Sequence, residues 1–335
     1  MILVTGATGL VGGNLLWQLL QENEQVTAIR RSNSNLKPLR TIFSFYCSNP
    51  DDYLARIDWK IADVLDLDSI QSAMKNSTIV YHCAALVSLA GNSETMIETN
   101  VSGTRNVVQA AIDNNIQKLC FVSSIAACGD ASTGELLNEN SIWNDSPNRS
   151  IYSRSKYYSE QEIWKVINKG LRAVIVNPGV ILGVSGTNSG SAQLFTQVRK
   201  GLPFYTNGGT GYIDVQDVVN IMIQLVKSEI SNQRFVLVSE NCCNRDILNW
   251  IADGFQKHRP IIGMGRITLW SFGFISEVLG KIFHFHPTID RSTARTATKR
   301  EYYSNEKIVK TLSFTFKPIE QCIREICAFE QREAN

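Results

Sequence analysis

Met1-Ile-Leu-Val-Thr-Gly-Ala-Thr-Gly-Leu-Val-Gly12 opens the chain, and its reading decides the fold. Ile2 to Val4 is a short apolar run that reads as a buried strand and breaks at Gly6. A helical pattern follows, with Leu10, Leu15, Leu16, Leu19 and Leu20. Glycines at a strand-to-helix turn let the chain reverse tightly and bring backbone N–H groups close to a phosphate. The helix N-terminus adds the positive end of its dipole. The spacing is G-x-x-G-x-x-G, a relative of the commoner G-x-G-x-x-G of dinucleotide-binding folds. Three glycines alone are a weak signal; their place between a strand and an amphipathic helix makes it a strong one. Gly6, Thr8, Gly9, Leu10, Val11 and Gly12 are therefore predicted to meet a dinucleotide.

Outward from this turn, strand and helix alternate. Strands are predicted at Val26–Ile29, Trp59–Ala62, Thr78–His82, Lys118–Val122 and Arg172–Val176. Helices are predicted at Asp66–Met74, Glu94–Asn114 and Ile151–Lys169, with Asp66 or Asp68 as an N-cap; residues 33–52 read as loop with a helical turn or two. The expected fold class is α/β: a Rossmann-type doubly wound parallel sheet with a smaller, mostly helical C-terminal substrate lobe. Residues 1–180 are expected to form the dinucleotide-binding domain, with segments of about 212–240 returning to it, and residues 181–335 the remaining lobe. Gly183 to Gly190 is a Gly/Ser-rich loop of the kind that hinges or covers a site, and from Cys242 onward the chain reads as mostly helical. In such folds ligands collect at the carboxyl ends of the strands. The informative residues fall there: Gly6, Arg30, Asp63, His82 to Ala85, and Ser123-Ser124.

The totals exclude several classes. With 335 residues, 44% apolar and 19% charged, the composition is that of a soluble globular protein. A net charge of +2 gives no footprint for nucleic acid. A strand beginning at residue 2 leaves no room for a secretory signal, and the expected location is cytoplasmic. Eight scattered cysteines form no C-x-x-C pair and read as small buried hydrophobes in a reducing compartment. The four histidines (82, 258, 284 and 286) lack metal-ligand spacing, so no metal is expected. The stretch 267–283 is interrupted by Ser271, Ser276, Glu277 and Lys281, too polar to span a bilayer; it is expected as an amphipathic helix over the substrate lobe.

Tyr152-Ser-Arg-Ser-Lys156 opens a helix, and residues four apart share a face. A free tyrosine, with a pKa near 10, is a poor acid or base at neutral pH. A cation beside it favours the phenolate and lowers that pKa. The Tyr152–Lys156 pair could then exchange a proton with a substrate oxygen, which the Ser124 hydroxyl would orient and polarise. Taken alone, a packed Tyr152 and a solvated Lys156 account for the pattern as well. It becomes specific because it follows the glycine turn and a Ser-Ser at the end of the fifth strand.

In order along the chain stand Thr5-Gly-Ala-Thr-Gly-Leu-Val-Gly12, Asp63-Val64, His82-Cys-Ala-Ala85, Asn100-Val-Ser-Gly-Thr104, Ser123-Ser-Ile-Ala-Ala-Cys-Gly129, Tyr152 to Lys156, and Asn177-Pro-Gly179. Together, over about residues 1 to 240, they resemble the extended short-chain dehydrogenases/reductases of the NAD(P)-dependent epimerase/dehydratase superfamily. The resemblance implies catalytic roles for Ser124, Tyr152 and Lys156, with Asn100 in a structural or proton-relay role. It implies cofactor contacts at Asp63 (adenine), Val64, Ala84 and Ala85, at Ser123 through its backbone, at Tyr152 and Lys156, and at Pro178 to Val180 near the nicotinamide. Cys128 stands before Gly129 where sugar-nucleotide members usually carry Tyr, and Asn177-Pro-Gly where they tend to carry Arg-Pro. Both departures look more like the dihydroflavonol-reductase and 3β-hydroxysteroid-dehydrogenase-like branch, whose substrates are small and rather apolar. His82 sits inside the fourth-strand motif and reads as a hydrogen-bonded structural residue rather than a proton shuttle.

Arg30, Arg31 and Ser32 follow the second strand where NAD-preferring folds place an acidic residue, with Lys37 nearby. Guanidinium groups suit a 2′-phosphate, so NADP(H) is the preferred cofactor and NAD(H) the second choice. The leading expectation is an NADP(H)-dependent oxidoreductase acting on a small apolar ketone or aldehyde, or on the corresponding alcohol. The alternatives are an epimerase or dehydratase with retained cofactor, and a non-enzymatic dinucleotide sensor. The expected partner is a small-molecule substrate, with no nucleic acid and no membrane; a homodimer stays open.

Overall fold

Seven strands pair side by side, all parallel, in the order β10-β6-β5-β4-β1-β2-β3. They are β1 (Ile2–Thr5), β2 (Val26–Arg30), β3 (Asp58–Ile61), β4 (Ile79–His82), β5 (Lys118–Val122), β6 (Ala173–Pro178) and β10 (Gln233–Leu237). The computed structural model describes residues 1–87, 93–130, 134–146, 149–187, 190–265, 268 and 297–334. The stretch 267–283, apart from Thr268, and both His284 and His286 lie outside the described residues.

Period-two alternation splits β1, β2, β4, β5 and β6 between two cores. From β1, Ile2 and Val4 face one layer and Leu3 the other. The first layer holds α1 (Leu10–Gln21), α2 (Lys37–Tyr46) and α9 (Val215–Lys227); α3 (Pro50–Leu54) follows α2. Helix α1 buries Leu15, Leu16, Leu19 and Leu20, each contributing roughly 1.5–3 kcal/mol. The second layer holds α4 (Leu67–Met74), α6 (Gly103–Asp113) and α7 (Ile151–Ile167). The strand order reverses between β1 and β4, where Thr5 pairs with His82. A crevice beyond the carboxyl ends of the strands is the usual ligand site at such a switch point.

A three-stranded sheet, ordered β11-β9-β7, stands beside the first: β7 (Val180–Leu182), β9 (Gly209–Asp214) and β11 (Glu240–Cys243). β8 (Phe204–Thr206) pairs with β12 (Ile262–Met264). Helices α8 (Ala192–Arg199), α10 (Asn244–Gly254) and α12 (Ile319–Ala334) share a third core with them, while α11 (Glu306–Leu312) sends Ile308 into the first. Of the segments expected to return, 233–237 joins the main sheet. Residues 209–214 join the second sheet instead, and only their following helix α9 packs on the first layer.

Three local expectations change. Residues 37–46 are a full helix, because Leu39, Ile42, Phe43 and Tyr46 recur at helical spacing and Pro38 suits its first turn. The helix read at 94–114 is interrupted: α5 (Ser93–Ile97) passes into a π-helical turn at Glu98–Ser102 before α6. Beyond residue 239 the chain is not purely helical, because residues 240–243 find a partner in β9. All eight cysteines are free thiols; five are buried and three half-buried.

Candidate active site

Gly6 adopts a φ of +66°, a conformation that costs glycine little. A Cβ at Gly6 would lie 2.5 Å from the amide nitrogen of Ala84, and one at Gly12 would lie 2.2 Å from the carbonyl oxygen of Gly6. Only hydrogen fits at either place. Helix α1 starts at Gly9 with no side-chain cap and no acidic residue in its first turn. The amides of Leu10, Val11 and Gly12 therefore have no intrahelical acceptor. Thr8 is half-buried in the same turn. Unfilled donors, glycine clearances and a positive helix end suit a diphosphate.

At the end of β2, Arg30 lies over the Trp59 ring, 6.0 Å from its centroid, and its buried Nε has no hydrogen-bond partner. Among the described residues it makes no ion pair. Arg31 and Ser32 are exposed, and the Arg31 backbone is engaged with Ser34. Asp63 uses one carboxylate oxygen to accept from the Leu65 amide at 3.0 Å. Val64 packs against Gly103, where a Cβ would come within 2.8 Å of its side chain. Ala84 and Ala85 are half-buried beyond β4, and the Ala84 backbone lies against Gly6 of the glycine turn.

His82 is fully committed. Thr104 spends its hydroxyl proton on the Asn100 carbonyl at 2.6 Å, so it accepts from His82 Nε2 at 3.0 Å. Nδ1 then accepts from Thr5 Oγ1 at 2.7 Å, which in turn accepts from the Ala84 amide at 3.2 Å. This bookkeeping fixes the neutral Nε2–H tautomer. Burial first, and the Lys156 charge second, lower the imidazole pKa to about 3. His82 ties β1, β4 and the helix of Asn100 together and holds no proton to give at neutral pH.

Ser124 is extended (φ −163°, ψ 154°) and caps the 3₁₀ turn Ile125–Ala127 by accepting from the Ala126 amide at 3.1 Å. Its own proton stays free to donate. Ser150 caps α7 by accepting from the Ser153 amide at 3.0 Å, and the Ser153 hydroxyl donates to the Ala126 carbonyl. These two caps set the first turn of α7 against the end of β5. Tyr152 then lies close enough to Ser124 for that hydroxyl to act on its ionisation. Burial pushes the Tyr152 pKa up, and Ser124 opposes that.

Lys156, on the same face and 3% exposed, donates to the Val122 carbonyl at 2.8 Å and lies 5.0 Å from the Phe121 ring centre. Burial lowers its pKa to about 8, against the charge of Glu160. The sequence led us to expect an ammonium poised on Tyr152. Here it is bound to Val122, and Lys156 is not among the groups acting on Tyr152. Of its three N–H donors, Val122 takes one.

Asn100, in the π-helical turn, pairs its side-chain amide with the Leu86 backbone: Oδ1 accepts from the Leu86 N–H at 2.7 Å and Nδ2 donates to its carbonyl at 3.1 Å. Nδ2 also donates to Ser155 at 2.9 Å. The Asn100 carbonyl accepts from both Thr104 and Ser159, at 2.6 and 2.7 Å. Both lone pairs are thus engaged, which favours a structural role over a relay through that oxygen. Ser123 is buried and its N–H is spent on Val176 at 2.8 Å. Pro178 ends β6, and Val180 begins β7 after Gly179, where a Cβ would lie 2.4 Å from the Gly211 carbonyl oxygen.

Sequence reasoning missed Thr5, Thr104, Ser155 and Ser159 as the frame of the site. Thr5, Thr104 and Ser155 stood inside quoted motifs, and Thr104 had a legible helical spacing, four residues after Asn100.

Residues 2–237 match the family described as NAD dependent epimerase/dehydratase. A Synechocystis sp. protein named for dihydroflavonol 4-reductase is 28% identical over 336 residues, covering 96% of this chain and 92% of that one. Cinnamoyl-CoA reductase 1 of Petunia hybrida is 25% identical over 337 residues, covering 97% and 90%. The crystal structure of gox2253 superposes with a TM-score of 0.83 at 26% identity, covering 99% and 98%. The chain belongs to the NAD dependent epimerase/dehydratase family, and with these relatives it is an NAD(P)-dependent enzyme of the extended short-chain dehydrogenase/reductase kind.

Proposed function

We propose that this enzyme is an NADP(H)-dependent reductase of a small, apolar ketone or aldehyde, working through Ser124, Tyr152 and Lys156, and able to oxidise the alcohol in reverse. The observation that carries the reading is the meeting of Tyr152 and Ser124 at the end of β5, with the buried Lys156 one turn along the same helix. Residues 1–180 would hold the cofactor, and most of 181–335 would close on the substrate. The glycine turn, the uncapped start of α1 and the unpartnered Nε of Arg30 suit a dinucleotide carrying a 2′-phosphate. Asp63 keeps one carboxylate oxygen for the adenine side.

When bound, the reduced nicotinamide supplies the hydride. Ser124 Oγ, its lone pair already on the Ala126 amide, donates its proton to the substrate carbonyl oxygen and polarises it. Tyr152 gives that oxygen a proton as its negative charge develops. Lys156 is a cation at neutral pH with N–H donors left for sugar hydroxyls. Leu86 and Val87, 37% and 59% exposed on the loop that Asn100 pins, offer apolar surface beside the site. The relatives named for dihydroflavonol and cinnamoyl-CoA reduction fit an apolar substrate.

The test is a panel of carbonyls and alcohols read by absorbance of the reduced nicotinamide, with Tyr152→Phe as the control. Turnover should fall ~10²–10⁴-fold in that variant while NADPH binding survives. Conversion without net NADPH consumption would point instead to an epimerase that keeps its cofactor. Near-normal turnover in Tyr152→Phe would remove the mechanism.

A further inference from the structure

Glu160 stands one helical turn beyond Lys156 on α7 and is 1% exposed. Nothing in hydride transfer uses it. A buried carboxylate is costly unless donors are spent on it, and three are. The Ser123 hydroxyl and Asn177 Nδ2 both donate to Oε1 at 2.5 Å, and Arg234 Nη1 donates to Oε2 at 3.4 Å. Arg234, on β10, is itself held by the Glu139 carbonyl. Asn177, fully buried, sends Nδ2 also to the Ser124 carbonyl at 2.9 Å. Both its partners are acceptors, so the orientation of the amide is fixed by chemistry. Its Oδ1 is left buried without a partner, a cost accepted to keep the NH₂ group on Glu160 and Ser124.

We propose that Glu160 is a positioning residue of the active site: through Asn177 and Ser123 it fixes the ends of β5 and β6 against α7, sets Ser124 against Tyr152, and places a buried negative charge one turn from Lys156. This rests on the Ser124–Tyr152–Lys156 reading above. The titratable groups acting on or beside Lys156 are Tyr152 and Glu160 on its own helix, and His82 and Cys83 at the end of β4. His82 is held neutral, and burial pushes the Cys83 thiol up to about 12. Arg234 faces Glu160 from β10. Burial pushes the Glu160 carboxyl up, and its bonds to Ser123, Asn177 and Arg234 pull it back down; among the described residues it is the carboxyl group whose charge opposes the effect of burial on Lys156.

Glu160→Gln in the full chain keeps the shape and removes the charge. We expect kcat on the panel's best substrate to fall about tenfold with NADPH KM little changed near pH 6. We also expect the pH at which NADPH binding falls to half, read by nicotinamide fluorescence, to drop by about one unit as Lys156 loses its counter-charge. Asn177→Ala should also lower kcat, because it cuts the bridge from Glu160 to the Ser124 carbonyl, and should move that midpoint less than Glu160→Gln does, because the carboxyl group stays in place. A folded Glu160→Gln that keeps its kcat, or that loses it with the midpoint unmoved, overturns the proposal, since loosened packing would not shift a titration. If Glu160→Gln does not fold, Ser123→Ala and Asn177→Ala decide, and wild-type kcat in both overturns it. A wild-type chain that binds a reduced dinucleotide but reduces no carbonyl sinks the reductase reading alone; the binding midpoint still judges Glu160.

Discussion

Arg30→Ala should convert a preference for NADPH into near indifference between NADPH and NADH. The guanidinium has a buried Nε with no partner and no carboxylate against it among the described residues. It is held in place by the Trp59 ring beneath it. A 2′-phosphate carries close to two negative charges, and in the proposed NADP(H) complex this guanidinium is the group that would hold it. Charge-assisted bonds of this kind contribute about 1.5–3 kcal/mol net. Arg30 is only half-buried, so solvent screening argues for the lower half of that range. The expected loss is then about 10- to 50-fold in NADPH affinity, with NADH affinity unchanged.

The assay is a fluorescence titration of both reduced cofactors against wild type and variant, repeated at two salt concentrations. The wild-type NADPH preference should shrink as salt rises, and the variant should show no such dependence. The variant also loses its stack on Trp59, about 0.5–1 kcal/mol, so a modest drop in melting temperature is expected and is not evidence on selectivity. Arg31→Ala should change selectivity less, because Arg31 is exposed and lacks a supporting ring. Unchanged NADPH/NADH selectivity in Arg30→Ala would exclude it as the phosphate reader. An equal fall for both cofactors would recast Arg30 as a wall for the adenine.

Gly12→Ala puts a methyl 2.2 Å from the Gly6 carbonyl oxygen, where backbone must shift; at about 1–3 kcal/mol for overpacking, both cofactors should bind at least about fivefold more weakly, and unaltered titrations would show that the turn does not hold the dinucleotide. Lys156→Met should weaken turnover and cofactor binding together, and raising the pH past about 8 should do the same to wild type reversibly as the ammonium is lost; a binding curve flat through that range would refute the role. His82 has its pKa depressed from 6.5 to about 3, so the unfolded chain takes up this proton first as pH falls. The stability it contributes is complete above pH 6.5 and is lost on acidification, by about 2 kcal/mol at pH 5. Denaturant midpoints between pH 7 and 5 should therefore fall more steeply in wild type than in His82→Gln, and equal slopes would count against a buried neutral His82.

The sheet was legible because its signals are local. Most of its strands are short apolar runs ended by a residue that suits the carboxyl edge, and Gly6, Asp63, His82 and Ser124 announce those edges in order. What could not be read locally were the strands whose partners lie far along the chain. Phe204–Thr206 and Ile262–Met264 are three residues each and make sense only as a pair. Glu240–Cys243 carries no strand pattern of its own, because its apolar content is two cysteines, and the edge of β9 makes it a strand. The helix at 37–46 is longer than the turn or two that the sequence suggests: its apolar residues recur at the right spacing behind Pro38, but polar flanks mask the stripe.

The site divides along the same line, and the division bears on how it works. Ser124, Tyr152 and Lys156 announce themselves because the proton chemistry demands those types at those intervals. Their support does not, because a hydrogen-bonding residue gains its role from what the topology sets opposite it. Asn100 meets Leu86 and Ser155 only once the helix interrupted by the π turn is laid beside α7. Thr5 and Thr104 sit 99 residues apart in sequence and on either side of one imidazole. The proton count around that ring leaves no freedom: each hydroxyl has one proton, each is already spent, and so the ring is neutral and oriented. A frame whose every donor is committed cannot relax to suit a displaced catalytic group. The residues proposed to react keep the opposite character, with a serine proton, two ammonium protons and a phenol not spent on the frame. Rigid support around a few uncommitted donors is what differential stabilisation of a developing oxyanion requires, since reorganisation at the moment of reaction would consume the gain.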